Sequence, residues 1–117
     1  MIVDDDVGMR ETIGRHLRVS GFDVVSVATG VEGIRTAQGT SIDIGLIDYH
    51  LPDMDGIDCV RTLLEERRNQ SLRLLLFTAD WSVEERGSEL RQLGVTVLSK
   101  LCDLHDIEAA LRRTMAS

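Results

Sequence analysis

Three kinds of reactive side chain stand at four places in the 117-residue chain. The carboxylates Asp4-Asp5-Asp6 follow the apolar pair Ile2-Val3. Asp48 closes the apolar stretch Ile44 to Ile47. Thr78 closes Leu72 to Phe77. Lys100, the single lysine, follows Val95 to Leu98 and Ser99. Several carboxylates held within a few ångströms cannot all ionise without a counter-ion. A hard divalent cation meets that need, because Mg²⁺ takes oxygen ligands from one or two carboxylates plus phosphate. No phosphate-binding glycine loop is present, so a nucleotide is not the obvious ligand. A carboxylate can itself be the nucleophile and form an aspartyl phosphate. Phosphoryl transfer then needs positioning and neutralisation of the equatorial oxygens. The cation would take one oxygen, the Thr78 hydroxyl a second and the Lys100 ammonium a third.

The elements that must hold these groups alternate along the chain. Met9, Ile13 and Leu17 recur on one helical face, ending near Gly21. Val24 to Val27 is strand-like. Val31, Ile34 and Ala37 suggest a short second helix. Ile57, Val60, Leu63 and Leu64 give a third, opened by Asp55. Leu72 to Phe77 is the strongest strand. Ser82 with Glu85 forms a capping box for a fourth helix running to Gly94. Asp103 caps a fifth, with Leu104, Ile107 and Leu111 on one side. Strands alternating with helices predict a parallel sheet covered on both faces. Right-handed crossovers make it a doubly wound three-layer α/β sandwich. Ligands of such sheets bind beyond the carboxyl ends of the strands. Asp4 to Asp6, Asp48, Thr78 and Lys100 all stand at such ends, whereas the second strand ends in Val27-Ala28 without a comparable group.

Composition narrows the setting. The length predicts one domain, residues 1–117, with no room for an appended DNA-binding module. A net charge of −7 disfavours direct grip on nucleic acid or an anionic membrane. Cys59 and Cys102 form neither a metal-type pair nor a secreted disulfide framework, which fits a reducing cytoplasm. No apolar run is long enough to span a membrane, and no signal-peptide pattern is seen. Only three residues precede the acidic cluster, so the first strand is short, as in a trimmed domain, one cut from a longer chain, or a short natural gene product.

The sequence resembles a receiver domain of a two-component response regulator. The likeness rests on Ile2-Val3-Asp4-Asp5-Asp6 with Met9-Arg10, Asp48-Tyr49-His50-Leu51-Pro52-Asp53-Met54-Asp55-Gly56, Phe77-Thr78-Ala79-Asp80, and Ser99-Lys100. Their order and spacing agree over essentially the whole chain. The resemblance implies a flavodoxin-like fold with a five-stranded sheet in the order 2-1-3-4-5. It implies Asp48 as phosphoacceptor. Asp5 would ligate Mg²⁺ (or Mn²⁺) directly and Asp4 through water, with Asp48 and the backbone carbonyl of His50 as further ligands. By the same resemblance Thr78 would be the switch hydroxyl, and Lys100 would pair first with Asp48 and then with the phosphate. The donor would be a histidine kinase or histidine phosphotransfer protein. An output partner would dock on the face of helix four, strand five and helix five. The chain would be a monomer or a weak, phosphorylation-dependent dimer. It would not be an enzyme beyond self-phosphorylation from small phosphodonors and slow autodephosphorylation.

Two departures from the family pattern stand out. Leu101 follows Lys100 where the family has proline with a cis bond. A cis bond before leucine is costly, so the loop is expected to run trans and to hold the lysine differently. The aromatic switch position is Val97, which has no ring to couple to Thr78. The stretch Gly94 to Lys100 is also about one residue tighter than in a typical regulator. With Asp48-Tyr49-His50-Leu51, these features look similar to receivers at the C-terminus of hybrid histidine kinases.

Blander roles are expected for several neighbours. Asp6 reads as a helix cap. Asp53 and Asp55 read as loop and cap residues. His16, His50 and His105 lack metal spacing and are expected to face solvent, although His50 lies near enough to Asp48 to tune phosphate lifetime. Cys59 and Cys102 read as small, largely buried residues. Trp81 reads as packing over the entrance of helix four, with partner contact as the alternative, and Glu65 to Arg68 as a solvated helix face. Three other functions compete. A phosphorylation-independent pseudo-receiver is kept open by the Leu101 segment. A Mg²⁺-dependent aspartyl-phosphate phosphatase would carry an acid two residues after the nucleophile, where this chain has His50. A flavin-binding protein would need a Ser, Thr and Gly-rich loop in place of three aspartates.

Overall fold

The computed structural model describes residues 1–66 and 71–116. Five parallel strands form one sheet in the order β2-β1-β3-β4-β5. They are β1 (Ile2–Val3), β2 (Ser26–Val27), β3 (Ile44–Asp48), β4 (Arg73–Thr78) and β5 (Thr96–Ser99). The helices are α1 (Val7–Val19), α2 (Gly30–Gly39), α3 (Gly56–Glu66), α4 (Gly87–Leu93) and α5 (Leu104–Ala116). A 3-10 helix, Trp81–Arg86, precedes α4. The predicted three-layer sandwich and strand order are therefore what the chain adopts.

Alternation along the strands sorts the core into two faces. Ile2, Leu46, Leu75 and Phe77 pack with Ile13 and Leu17 of α1 and with Ile107 and Leu111 of α5. Val3, Ile47 and Leu76 pack with Ile57, Val60 and Leu63 of α3 and Leu90 of α4, and Ile34 of α2 joins them. Leu75 and Leu76 point to opposite faces and are both fully buried. Each contributes about 2 kcal/mol of apolar burial. That is why Leu72 to Phe77 reads as an unbroken apolar run rather than an alternating one.

Caps set the helix starts and so fix the loops at the sheet's carboxyl edge. Asp6 accepts from Met9 N at 3.1 Å, the cap role expected of it. Asp55 Oδ1 accepts from Ile57 N at 2.7 Å, and Asp103 Oδ1 from Asp106 N at 2.8 Å. Asp53 does more than the loop role expected. Its two oxygens accept from Gly30 N and Val31 N, both at 2.9 Å, and so clamp the start of α2 from across the structure.

Two expectations about elements are corrected. Only Ser26–Val27 of the Val24–Val27 run pairs as β2, because the neighbouring β1 is itself two residues long. The fourth helix does not open on a Ser82–Glu85 box. Asp80 instead caps the 3-10 helix, accepting from Ser82 N at 2.9 Å, and α4 begins only at Gly87, after Arg86, which makes no side-chain cap bond. An ionised carboxylate outcompetes a serine hydroxyl as acceptor. Gly94 ends α4 in the left-handed region at φ 70°, which glycine adopts without strain.

Helix α5 is tied to α1 around Glu108. Its carboxylate accepts from Ser20 Oγ at 2.7 Å and Arg112 Nε at 3.0 Å, and contacts His16 Nε2 at 2.9 Å. His16 is therefore half-buried and paired rather than solvent-facing, which corrects that expectation, while His105 is exposed. The Ser20 hydroxyl first, then Arg112, pulls Glu108 down to about 2. A carboxyl lowered on folding stabilises above its ordinary value and loses that contribution as pH falls through about 2. Glu108→Gln is thus expected to melt below the parent at pH 7. The gap should narrow below pH ~4.5, the ordinary carboxylate range, and vanish near pH 2. Thermal melts across that series, read by circular dichroism, check it.

Cys59 is buried, and burial pushes its thiol up to about 12; Cys102 is only half-buried, more open than expected. Trp81 is 69% exposed, so it does not pack over the helix entrance. Glu65 and Glu66 are exposed as expected, whereas Arg67 and Arg68 lie outside the described residues. Among the described residues, no helix is long and apolar enough to cross a membrane.

Candidate functional site

Strands β1, β3, β4 and β5 deliver their last residues to one edge of the sheet. Asp4 follows β1, Asp48 ends β3, Thr78 ends β4, and Lys100 follows β5. Asp4, Asp48 and Thr78 are buried, whereas Asp5 is exposed at the rim. Asp4, Asp5 and Asp48 each offer a carboxylate oxygen, and these atoms lie within 4.8 Å of one another. Lys100 Nζ stands 3.0 Å from Asp4 Oδ2 and 3.3 Å from Asp48 Oδ2. The Lys100–Leu101 peptide is trans, as expected, and the lysine still reaches both carboxylates. Its ammonium also lies 5.4 Å from the centre of the Phe77 ring.

Local bonds explain the placement. Asp6 N donates to Asp4 Oδ1 at 3.0 Å, and Arg10 Nη1 donates to the Asp4 carbonyl at 2.7 Å. His50 N donates to Asp48 Oδ1 at 3.2 Å. Lys100 N donates to the Thr78 carbonyl at 3.0 Å, which locks the two strand ends together. Thr78 Oγ1 accepts from Asp80 N at 2.9 Å.

The electrostatics are unbalanced in a specific way. Burial raises the Asp48 carboxyl above its ordinary value, and the Asp4 charge adds to this. Lys100 and the His50 N–H oppose the rise without cancelling it. Burial alone would lower Lys100, but Asp4 and Asp48 outweigh it and hold the ammonium above its usual value. One positive charge thus serves two buried carboxylates. Among the described residues, buried Asp4 Oδ2 has no donor aligned for a hydrogen bond, and the Lys100 ammonium charge stands beside it. An all-oxygen donor set with an orphaned buried oxygen suits a hard cation such as Mg²⁺.

The loop after Asp48 is packed against the acceptor strand. Gly56 N donates to the Tyr49 carbonyl at 2.7 Å. A side chain at Gly56 would put its Cβ 2.2 Å from the Asp48 carbonyl oxygen. That neighbour is backbone, so Gly56→Ala is expected to destabilise by about 3 kcal/mol through forced displacement. Urea unfolding measures it, with the midpoint falling and the slope unchanged.

Several contacts around the site were not legible in the sequence. His50 is exposed, as expected, and its Nε2 also meets Asp80 Oδ2 at 2.5 Å, bridging the loops after β3 and β4. The one available signal was that each stands two residues after a strand-end site residue. Asp80 is held at about 2 by the Ser82 hydroxyl first and by His50 second. Asp55 Oδ2 pairs with Arg86 Nη1 at 2.5 Å, a link that no spacing rule announces. A cavity of about 510 Å³ lies beside Thr78, walled by Val83, Leu90, Val95 and Val97, with Trp81 at its edge. Val97 is 39% exposed there.

Fold and site together define a flavodoxin-like α/β domain with an acidic pocket at the sheet's carboxyl edge. The chain belongs to the response regulator receiver domain family, which it matches over residues 1–112. This is a family of signalling phosphoacceptor domains rather than enzymes in the ordinary sense. The chain is 31% identical over 118 residues to "Probable transcriptional regulatory protein TcrX" of Mycobacterium tuberculosis, covering 97% of this chain and 50% of that protein. It is 25% identical to the DNA-binding dual master transcriptional regulator RpaA of Synechocystis, covering 97% and 49%. The chain thus spans about half the length of these relatives. Among solved structures it resembles the chemotaxis response regulator CheY4 of Vibrio cholerae at TM-score 0.87. That match has 25% identity and covers 97% of this chain and 94% of the other. A CheY-like receiver domain protein from Methanospirillum hungatei shares the fold at TM-score 0.90 and 22% identity, covering 98% and 90%.

Proposed function

We propose that residues 1–117 act as one phosphoacceptor unit in a two-component relay, with Asp48 as the acceptor. The observation that carries this reading is the convergence of Asp4, Asp5 and Asp48 within 4.8 Å, with Lys100 against two of them. An Asp48 carboxylate oxygen attacks the phosphorus of a phosphohistidine on a kinase or phosphotransfer protein. The P–N bond breaks, and the histidine nitrogen leaves with its electron pair and takes up a proton. Asp4, Asp5, Asp48 and the His50 carbonyl would hold Mg²⁺ (or Mn²⁺). When bound, the ion supplies charge neutralisation at the transferring phosphoryl group. Lys100 turns from Asp48 to a phosphoryl oxygen. Thr78 gives up the Asp80 N–H bond and donates its hydroxyl to another.

Phosphorylation adds negative charge and acceptor oxygens. Drawing in Thr78 and Lys100 shifts β4 and β5, and the change is read on the face of α4, β5 and α5. Val97 of β5 is exposed on that face, and Trp81 of the 3-10 helix before α4 lines the same cavity, which offers an output partner apolar surface. The unit acts in the cytoplasm, as a monomer or a weak dimer once phosphorylated. Slow autodephosphorylation ends the signal, and the His50–Asp80 bridge beside Asp48 tunes its lifetime. Two parents fit. The half-length match to transcriptional regulators supports an appended output domain. Val97 and Leu101 support a receiver from a hybrid histidine kinase.

Acetyl phosphate tests the reading. With Mg²⁺, the purified domain is expected to gain one phosphate by intact mass, and to gain none after chelation. Absence of an adduct from both acetyl phosphate and a phosphohistidine donor, with the fold intact, would favour the phosphorylation-independent binding module.

A further inference from the structure

One arginine grips the far end of the acceptor loop. Arg86 Nη1 pairs with Asp55 Oδ2 at 2.5 Å, across 31 residues of sequence. Arg86 Nε and Nη2 hold Glu89 Oε1 and Oε2 at 3.1 and 2.8 Å, so each of the three guanidinium nitrogens has a carboxylate partner. Arg61 braces the same Glu89 from α3 and is itself paired with Asp58 at 2.9 Å.

The grip bears on the acceptor through backbone. Asp55 is bridged to His50, whose carbonyl is a proposed cation ligand. The next residue, Gly56, lies against the Asp48 carbonyl with no room for a side chain. Tyr49 N in turn bonds the Phe77 carbonyl at 3.2 Å. Moving Asp55 therefore moves His50 and, through Gly56, Asp48. Arg86 itself sits at the end of the 3-10 helix after Thr78, where the chain enters α4. A planar guanidinium holding carboxylates through separate nitrogens fixes geometry that an ammonium cannot.

We propose that Arg86 is a positioning residue: it sets the acceptor loop for cation binding and ties that loop to α4. The proposal rests on the phosphoacceptor reading above. Because the tie works in both directions, cation binding and the position of α4 are linked through Arg86 and Asp55.

The test is Mn²⁺ binding, read from the loss of the free-ion paramagnetic resonance signal, on the full chain. Arg86→Gln is expected to weaken Mn²⁺ binding at least fivefold, and Asp55→Asn by a similar factor. The double variant should be no weaker than the poorer single, because both break one link. Arg86→Lys, which keeps charge but not the fork, should recover only part of the loss. Arg61→Gln breaks the outer arm without touching the acceptor loop and should bind as the parent does. Circular dichroism and thermal melts on each variant confirm that folded protein is compared. Parent-like Mn²⁺ affinity in folded Arg86→Gln would overturn the proposal and leave the phosphoacceptor reading standing. An equal loss in Arg61→Gln would overturn it as well, reducing the network to general bracing. A parent chain that binds no Mn²⁺ would instead sink the reading on which the proposal rests.

Discussion

Asp48→Asn is expected to abolish the phosphate adduct and, in the same protein, to raise thermal stability. Both effects come from one carboxyl. As the acceptor, its oxygen is the nucleophile, and an amide at that position leaves nothing to attack phosphorus. As a buried group beside Asp4, it is raised above its ordinary value in the folded chain. A carboxyl raised on folding binds its proton more tightly in the folded state. It therefore lowers stability once pH rises above the unfolded value, and the penalty is complete above the folded value. At neutral pH without metal, the parent carries that penalty and the amide variant does not. The gain is on the order of 1 kcal/mol, a common size for relief of functional strain. That corresponds to about 4 °C in a domain of this length. The gain should shrink as pH falls toward the ordinary carboxylate range. A lower melting point for Asp48→Asn in metal-free neutral buffer would contradict the electrostatic account of the site.

Lys100→Met is expected to slow phosphoryl transfer about a hundredfold, the usual loss when one preorganised charge donor is removed. It should also destabilise the fold, the opposite of the Asp48 change. Lys100 stands against both Asp4 and Asp48, and its removal leaves two buried carboxylates facing each other. Breaking a buried pair from one side costs about 3 kcal/mol at the low end of its range. The low end applies because a fifth of the lysine side chain keeps contact with water. Combining Lys100→Met with Asp48→Asn should restore part of the stability, since one of the stranded charges is gone. Urea unfolding of the two singles and the double measures the coupling, and simple additivity would contradict a shared cation.

The sheet and the core of the site were legible because both are written in local pattern. Short apolar runs ending in Asp48, Thr78 and Lys100 specify strands, and right-handed crossovers bring their ends to one edge. Asp6, Asp55 and Asp103 were readable as caps because capping is a three-residue relationship. The start of the fourth helix was misread for the same local reason. Asp80 and Ser82 can each cap, and only the placement of Asp80 against Thr78 and His50 decides between them. Trp81 looked like packing because tryptophan usually is, yet the 3-10 turn points it into solvent. The Arg86 clamp and the Glu108 knot were beyond reach. Their partners lie 31 and 88 residues away, and a charged residue in a helix reads as solvated until the fold supplies its counterpart.

The central claim is that the phosphoryl group is carried by Asp48 itself. The direct measurement is to phosphorylate the domain with acetyl phosphate and Mg²⁺, reduce the acyl phosphate with borohydride, and sequence the peptides by mass spectrometry. Aspartyl phosphate is converted to homoserine at the modified position. Homoserine is expected at position 48 alone, and only in the sample that received Mg²⁺. Homoserine at position 4 or 5 instead, or an equal yield without the metal, would contradict the claim.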